Sequence, residues 1–277
     1  MSTMQGGSLP LFPRKPQRLL FSLLGELIES GMEGPVPAGV YLDILNDVDV
    51  ARPTGRAALD RLVVTGYLAR DRVGRSVVYG LTPYGREVMD EARIRVHSPY
   101  PFAPEGDGWT MVTFTLPESL RALRQQVRTA LTWEGFAPLR DGLWVAPGNV
   151  DLSIVLDPYR DEMPPHAVAA FRAQEIPGFS ASSALSNAWD LDSLRDLHLK
   201  FLSTWEAPEP IANDRDALGA LVALGADWTT LIAADPRLPD SYLGTEWPGP
   251  KSAALYTKRR KELIDQAHAT LRQLAGF

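Results

Sequence analysis

The apolar residues of the N-terminal region recur every three or four positions, which is the spacing of amphipathic helices. A proline near the start and a glycine just after the end mark the first and third of these runs as complete helices. The spacing predicts three helices, over residues 17–30, 40–48 and about 52–65.

After Gly66 the apolar period shortens to two, which is typical of strands. It predicts strands over Tyr67–Arg72 and Val77–Leu81, joined by a turn around Val73-Gly74. Thr82-Pro83 then indicates the start of a further helix that runs to Arg95. Three helices followed by an arginine-bearing hairpin is the element order of a winged helix-turn-helix module.

The middle of the chain predicts a small unit of mixed helix and strand, which follows a linker rich in proline and glycine. Its Asp141-Gly142 pair indicates a hairpin turn. The predicted elements are a linker over 97–108, a strand over 109–116, a helix over 118–133, a hairpin over 136–146, strand-like residues 151–156, a helix over 164–174 and a strand from Phe179. This order favours a ferredoxin-like unit.

From Trp189 onward the apolar spacing is helical again, apart from a proline-rich insert between Asp235 and Pro250. The chain as a whole is therefore expected to be of the α+β class. We divide it into a winged helix-turn-helix domain over residues 1–96, a ferredoxin-like domain over 97–187 and a helical domain over 188–277.

The composition is that of a globular protein, with 45% hydrophobic and 22% charged residues among 277. Because the chain has no cysteine, disulfide bonds and thiolate metal sites are excluded. We find no signal-peptide pattern at the start and no apolar run that approaches a membrane span. A cytoplasmic location without membrane association is expected.

The net charge of −6 is unusual for a protein that binds nucleic acid, but the charge is unevenly distributed. Between Val50 and Gly80, six arginines and two aspartates give a local charge of +4. Such a local patch, rather than the average charge, is what interacts with phosphate. Taken alone, such a charge run is more often an ordinary solvated surface, so the patch counts only together with the pattern of elements.

A helical projection of the third helix separates its residues into two faces. Ala58, Leu59 and Leu62 lie on the side expected to face the core. The residues that we expect to contact DNA, on the opposite side and on the hairpin, are Arg52, Thr54, Arg56, Ala57, Asp60, Arg61, Arg72 and Arg75.

These residues have different expected roles. Arg56 is the candidate for bidentate recognition of guanine, the alternatives being a phosphate contact or a helical pair with Asp60. Arg52 lies at a helix N-terminus, which favours phosphate. Asp60 either accepts from a cytosine amine or orients neighbouring arginines. Arg70 ranks below Arg72 as a phosphate ligand.

Several segments together resemble the PaaX family, the repressors of phenylacetate catabolism and their relatives. The segments that carry the resemblance are Arg18-Leu-Leu-Phe-Ser-Leu-Leu-Gly-Glu-Leu, Gly55-Arg-Ala-Ala-Leu-Asp-Arg-Leu-Val, Gly74-Arg-Ser, Tyr79-Gly-Leu-Thr-Pro-Tyr-Gly, Ala188-Trp-Asp-Leu, Asp235-Pro-Arg-Leu-Pro-Asp and Glu246-Trp-Pro-Gly. The last two are the most specific, since winged helices in general do not carry them.

The resemblance implies a homodimer that binds a palindromic double-stranded operator and releases it on binding an aryl-acyl-CoA thioester. It also implies that the helical domain over 188–277 serves effector binding and dimerisation. One departure concerns the entry to the third helix, where family members often have a serine and this chain has Ala51-Arg52-Pro53-Thr54. The operator sequence and the identity of the effector therefore do not carry over, and repression is not distinguished from activation.

Four residues of the C-terminal region are candidates for the effector site. Trp228, Tyr242 and Trp247 would line an aromatic pocket, and Arg237 would meet an anionic group of the cofactor moiety. The alternative is that the tryptophans are ordinary core residues.

Two other functions are weighed against the regulator. A metal-dependent nuclease would need a carboxylate at the end of the strand Trp109–Leu116, which has none. An acyl-CoA-binding module without DNA binding is the second alternative. The four histidines have no metal-binding spacing, and nucleotide-binding and hydrolase motifs are missing, so no enzyme activity, metal or cofactor is expected.

Overall fold

The computed structural model describes residues 14–32, 34–176, 178, 188–207 and 213–276, with the side chains of residues 133 and 154 excepted. Helices predominate, and the strands form two small antiparallel sheets. The chain is therefore of the α+β class, as the sequence predicts.

The described residues divide into two compact units, each built from separate stretches of chain. The first unit comprises the described parts of Met1–Pro99, His198–Leu231 and Pro250–Phe277. The second comprises those of Tyr100–Leu197 and Ile232–Gly249. The three-domain division drawn from the sequence stays a prediction.

The N-terminal part of the first unit contains the predicted helices and hairpin. Its elements are α1 (Pro16–Glu29), β1 (Val36–Pro37), α2 (Ala38–Asp47), α3 (Arg52–Val64), β2 (Leu68–Val73), β3 (Ser76–Leu81) and α4 (Pro83–Val96). The sheet has the order β1-β3-β2. Strand β1, which lies in the predicted loop before α2, has only two residues and forms through its pairing with β3.

The core of this unit forms where the helical spacing predicts it. Leu19, Leu20 and Leu23 of α1 are fully buried, as are Ile44 and Leu45 of α2. Burying one such side chain stabilises the folded state by roughly 1.5–3 kcal/mol. The apolar stripes therefore determine how these helices pack.

Thr82 and Gly85 join the hairpin to α4. The Thr82 hydroxyl accepts a hydrogen bond from the Gly85 backbone N–H at 2.9 Å and donates to the carbonyl of Gly66 at 2.5 Å. This is the N-cap that Thr82-Pro83 indicates in the sequence. A Cβ atom on Gly85 would lie 2.1 Å from the carbonyl oxygen of Tyr67, so the close contact requires glycine.

The second unit contains a four-stranded sheet of order β5-β6-β4-β7. Its elements are β4 (Trp109–Phe114), a 3₁₀ turn (Glu118–Leu120), α5 (Arg121–Trp133), β5 (Ala137–Arg140), β6 (Leu143–Pro147), α6 (Leu152–Leu156), a second 3₁₀ turn (Asp157–Glu162) and β7 (Val168–Ala173). One face packs on Leu123, Val127 and Leu131 of α5. The hairpin at Asp141-Gly142 forms as predicted.

Two of the predicted elements in this unit are wrong. Residues 152–156, predicted as a strand, form α6, because Asp151 caps the turn by accepting from the Ser153 backbone N–H at 2.9 Å. Residues 168–173, predicted as part of a helix, form β7. This strand pairs with β4 over its whole length. The predicted strand from Phe179 lies outside the described residues.

The remaining helices are α7 (Leu191–Glu206), α8 (Asp214–Ala234), α9 (Asp240–Leu243) and α10 (Gly249–Ala275). Apolar side chains of α7 and α8 are buried, including Phe201 and Trp228. Helix α10 begins at Gly249, within the proline-rich insert that the sequence indicates between Asp235 and Pro250. Gly225 of α8 lies close to α1, since a Cβ atom there would lie 2.3 Å from the Ser22 hydroxyl oxygen.

The expectation that no apolar run approaches a membrane span is wrong for α8. By length and composition alone this helix could cross a membrane, since its mean hydropathy over the most apolar window is 1.6. Since 67% of that window is buried within the protein, α8 has the environment of a core helix.

Replacing Gly85 with alanine is expected to destabilise the protein by about 2 kcal/mol, because the new methyl group meets backbone atoms that cannot rotate away. Gly39→Ala is the matched control: Gly39 also lies in the first turn of a helix, and a Cβ atom there has no neighbour within 4 Å. Urea denaturation would measure both changes. Equal stability of the two variants would contradict this account of Gly85.

Candidate nucleic-acid interface

Helix α3 has one buried face and one exposed face. Leu59 and Leu62 are fully buried, whereas Arg56, Asp60 and Arg61 are exposed. The remaining predicted contact residues on this helix, Arg52, Thr54 and Ala57, are exposed as well. The helical projection therefore assigned the two faces correctly.

Gly55 allows α3 to pack closely on α2, a feature that the sequence analysis missed. A Cβ atom on Gly55 would lie 3.0 Å from Leu42 Cδ2 and 3.1 Å from Leu45 Cδ1. The glycine is itself buried, on the same side as Leu59 and Leu62. Its location four residues before Leu59 is the signal that could have revealed this contact.

The N-terminus of α3 carries an ion pair. Its N-cap residue, Ala51, makes no side-chain capping hydrogen bond, consistent with the missing serine. The guanidinium of Arg52 instead binds the carboxylate of Asp43 on α2, and the two side chains are 49% and 42% exposed. Sequence reasoning identified Arg52 but not its partner, which lies nine residues away on another helix.

The side chain of Asp60 extends from α3 toward the hairpin. Its carboxylate is 3.8 Å from the guanidinium of Arg70 and accepts a long hydrogen bond, 3.5 Å, from the Tyr79 hydroxyl. Burial, followed by the nearby Asp60 charge, raises the pKa of Tyr79. Asp60 therefore faces Arg70 and Tyr79 of the hairpin, and Tyr79 is a neighbour of the candidate site that the sequence analysis missed.

The tip of the hairpin presents two arginines to solvent. Gly74 adopts a left-handed backbone conformation with φ of 60°, which a tight turn requires and which glycine adopts readily. Arg72 and Arg75 on either side are exposed, and Val73 is 66% exposed. The backbone N–H of Arg72 donates to the Asp71 carboxylate at 2.7 Å.

Within the described part of the chain, four of the predicted contact arginines have no carboxylate within 4.0 Å: Arg56, Arg61, Arg72 and Arg75. Their charge is therefore not neutralised by a close acidic neighbour. The exposed face of α3 and the hairpin tip together offer cations to an anionic partner.

The proposed effector residue Trp228 is buried in an aromatic stack in the first unit. Its ring lies 4.3 Å from that of Tyr256 and nearly parallel to it, at 8°. Its indole N–H donates to the carbonyl of Val96 at 3.2 Å, and Phe201 packs against it. The residue thus has the surroundings of a core tryptophan.

The other three effector candidates lie in the second unit. Trp247 is buried in an apolar cluster with Trp109 and Leu194, and Arg195 lies over its ring at 5.0 Å. Tyr242 packs edge-on against Trp109 and donates to the carboxylate of Glu175. Burial and this bond raise the pKa of Tyr242 to about 12.

Arg237, the remaining effector candidate, is half-buried and has a left-handed backbone. Its backbone N–H donates to the carboxylate of Asp235 at 2.6 Å. The candidates are therefore divided between the units, with Trp228 in one and the other three in the other.

The second unit also has an open cavity of about 710 Å³ beside β7 and α6. It is lined by Glu105, Thr110, Asn149, Val150, Asp151, Leu152, Ser153, Ala170, Phe171 and Arg172. Its volume lies within the range of ligand pockets. None of the four effector candidates lines it.

His198 is fully buried and lies 3.0 Å from the hydroxyl of Ser252, which is buried as well. This is the environment of a core histidine. Among the described residues there is no group of three or more histidine, aspartate and glutamate side chains placed to hold a metal ion.

Three family models match the chain, one after another. Residues 15–85 match the PaaX-like protein model, 103–183 the PaaX protein central Cas2-like domain and 189–273 the PaaX-like protein C-terminal domain. The chain therefore belongs to the PaaX-like family, as the sequence motifs indicate.

One relative and one solved structure extend this result. The transcriptional repressor PaaX of Escherichia coli is 25% identical over 243 residues, which cover 83% of this chain and 75% of the relative. An uncharacterized protein of Mycobacterium tuberculosis shares the fold, with a TM-score of 0.58, 22% identity and coverage of 90% of this chain and 96% of the other. Homology with a repressor supports a regulatory, non-enzymatic role.

Arg72→Gln and Arg75→Gln are each expected to weaken binding to a random-sequence DNA duplex, because each removes an exposed cation from the hairpin tip. Log affinity falls as log salt rises, and this dependence should become shallower by about 0.9 for every phosphate that the variant no longer neutralises. Fluorescence anisotropy at several salt concentrations would measure it. Arg272→Gln, an exposed position on α10, is the control, and equal slopes in all three variants would contradict a hairpin contact.

Proposed function

We propose that this protein is a ligand-controlled transcriptional regulator, acting as a repressor of an aromatic-compound catabolic operon. Helix α3 would enter the major groove, and the β2–β3 hairpin would contact phosphates or the minor groove beside it. The observation that carries the proposal is the exposed set Arg56, Arg61, Arg72 and Arg75, which has no carboxylate within 4.0 Å in the described chain.

The element order supports a winged helix-turn-helix arrangement of the first 96 residues. Helices α1 to α3 precede a hairpin whose strands pair over six residues, and Gly74 forms its turn. In the second unit, the order β5-β6-β4-β7 with antiparallel neighbours supports a ferredoxin-like arrangement. Neither arrangement requires a catalytic group.

Base recognition would centre on Arg56. It lies in the second turn of α3 and is exposed, and its guanidinium can donate two hydrogen bonds to guanine O6 and N7. Ala57 beside it is small enough to let the helix approach the base edges. Asp60 would act through Arg70 and Tyr79 rather than on a base, since its carboxylate already faces both.

A homodimer on a palindromic operator, in the cytoplasm, completes the proposal. Support comes from the relationship to a protein named as a transcriptional repressor and from the family motifs in the sequence. Two copies of α3 related by a two-fold axis would read two half-sites.

The effector would be an aryl-acyl-CoA thioester that binds better to a dimer conformation unable to match the operator. Binding would therefore shift the protein toward the conformation that does not bind DNA. Of the candidates, Arg237 and Tyr242 are only half-buried, whereas Trp228 and Trp247 are buried. A ligand therefore reaches Arg237 and Tyr242 with less rearrangement, and we place them first.

Arg56→Gln tests base recognition. A duplex selected from a random library with the unmodified protein serves as specific DNA, and unselected duplex serves as nonspecific DNA. Removal of a bidentate guanine interaction should weaken specific binding by about 1–3 kcal/mol and nonspecific binding much less. Equal weakening of both would make Arg56 a phosphate ligand, and failure of the unmodified protein to bind any duplex would contradict the proposed function.

Phenylacetyl-CoA and related aryl-CoA esters test the ligand switch. An effector present at about 100 times its Kd should stabilise the protein by about 2.7 kcal/mol, which thermal denaturation would detect, and the same concentration should release selected DNA. Arg237→Gln should require a higher ligand concentration for both effects. Stabilisation without DNA binding in any condition would instead indicate an acyl-CoA-binding module, and undiminished DNA binding with every ester would contradict the switch.

A further inference from the structure

Among the described residues, Asp43 is the carboxylate that pairs with the predicted DNA-binding arginine at the N-terminus of α3. It lies on α2 and binds the guanidinium of Arg52, the first residue of α3. Both side chains are about half exposed, so the pair sits at the surface where phosphate would approach. The negative charge of Asp43 at this surface repels a polyanion such as DNA.

We propose that Asp43 is a positioning residue that limits nonspecific DNA affinity by holding Arg52. The inference rests on the proposed function. In free protein, Asp43 keeps the Arg52 guanidinium turned toward α2. Only a duplex that fits the remaining surface of α3 supplies enough interactions to draw Arg52 to a phosphate, so random duplex binds less well than the arginine count suggests.

The electrostatic signs predict the effect of removing the Asp43 charge. Asp43→Asn frees Arg52 and removes a negative charge near phosphate, so affinity should rise. An exposed ion pair is worth up to about 1 kcal/mol, which corresponds to changes of up to roughly fivefold.

The experiment is titration of a random-sequence duplex of about 20 base pairs with the full-length protein at several salt concentrations, read by fluorescence anisotropy. Asp43→Asn should bind roughly two- to fivefold more tightly, with a salt slope steeper by about 0.9 because Arg52 gains a phosphate. Glu262→Gln, which breaks an exposed ion pair with Arg259 on α10 and changes the net charge equally, should leave affinity and slope near those of the unmodified protein.

The double variant Asp43→Asn with Arg52→Gln decides whether Arg52 carries the effect. Because loss of the Asp43 charge itself favours a polyanion, the double variant should bind only slightly more tightly than Arg52→Gln alone. A gain as large as the one that Asp43→Asn gives in the presence of Arg52 would overturn the proposal. Unchanged or weakened binding by Asp43→Asn, or a gain matched by Glu262→Gln, would overturn it too. Failure of the unmodified protein to bind duplex at low salt would instead overturn the proposed function.

Discussion

The burial of one side of α3 is the constraint on which the rest of the interface depends. Leu59 and Leu62 contribute apolar area to the core, and Gly55 lets the helix backbone approach Leu42 and Leu45 of α2. Since a helix has a fixed rotation per residue, burying this side determines that Arg56, Asp60 and Arg61 face solvent. The orientation of the cations thus follows from packing rather than from their own interactions.

The contrast between the acidic chain and its basic surface has a physical explanation. Charges separated by more than about 8 Å in physiological salt are largely screened. The approach of a polyanion therefore depends on the nearest groups, which are the exposed arginines of α3 and the hairpin. The −6 net charge of the whole chain acts mainly on solubility and long-range association.

Sequence reasoning was most successful where local pattern determines structure. The helices α1 to α3, the Thr82 cap and the Asp141-Gly142 hairpin follow from spacing and turn chemistry within a few residues. It failed at β7 and α6. The residues of β7 form a strand because β4 pairs beside them, and this partner lies more than fifty residues earlier in the chain.

The same distinction applies to the candidate site. The exposed arginines could be predicted because a helical projection needs only the spacing of residues. The contacts of the site could not be predicted in this way. Asp43 and Arg52 meet through the packing of two helices, and Tyr79 of β3 donates a hydrogen bond to Asp60 of α3. Contacts of this kind depend on side-chain geometry that the period of a sequence does not contain.

The discontinuous first unit has a consequence for how the protein is made. Helix α1 packs against α8 through Ser22 and Gly225, and Arg14 forms a bidentate ion pair with the buried Asp227. These partners are synthesised some two hundred residues apart. On the ribosome, the emerging N-terminal helices would have an incomplete core until α8 has left the exit tunnel, so some of their apolar side chains would stay exposed in the meantime.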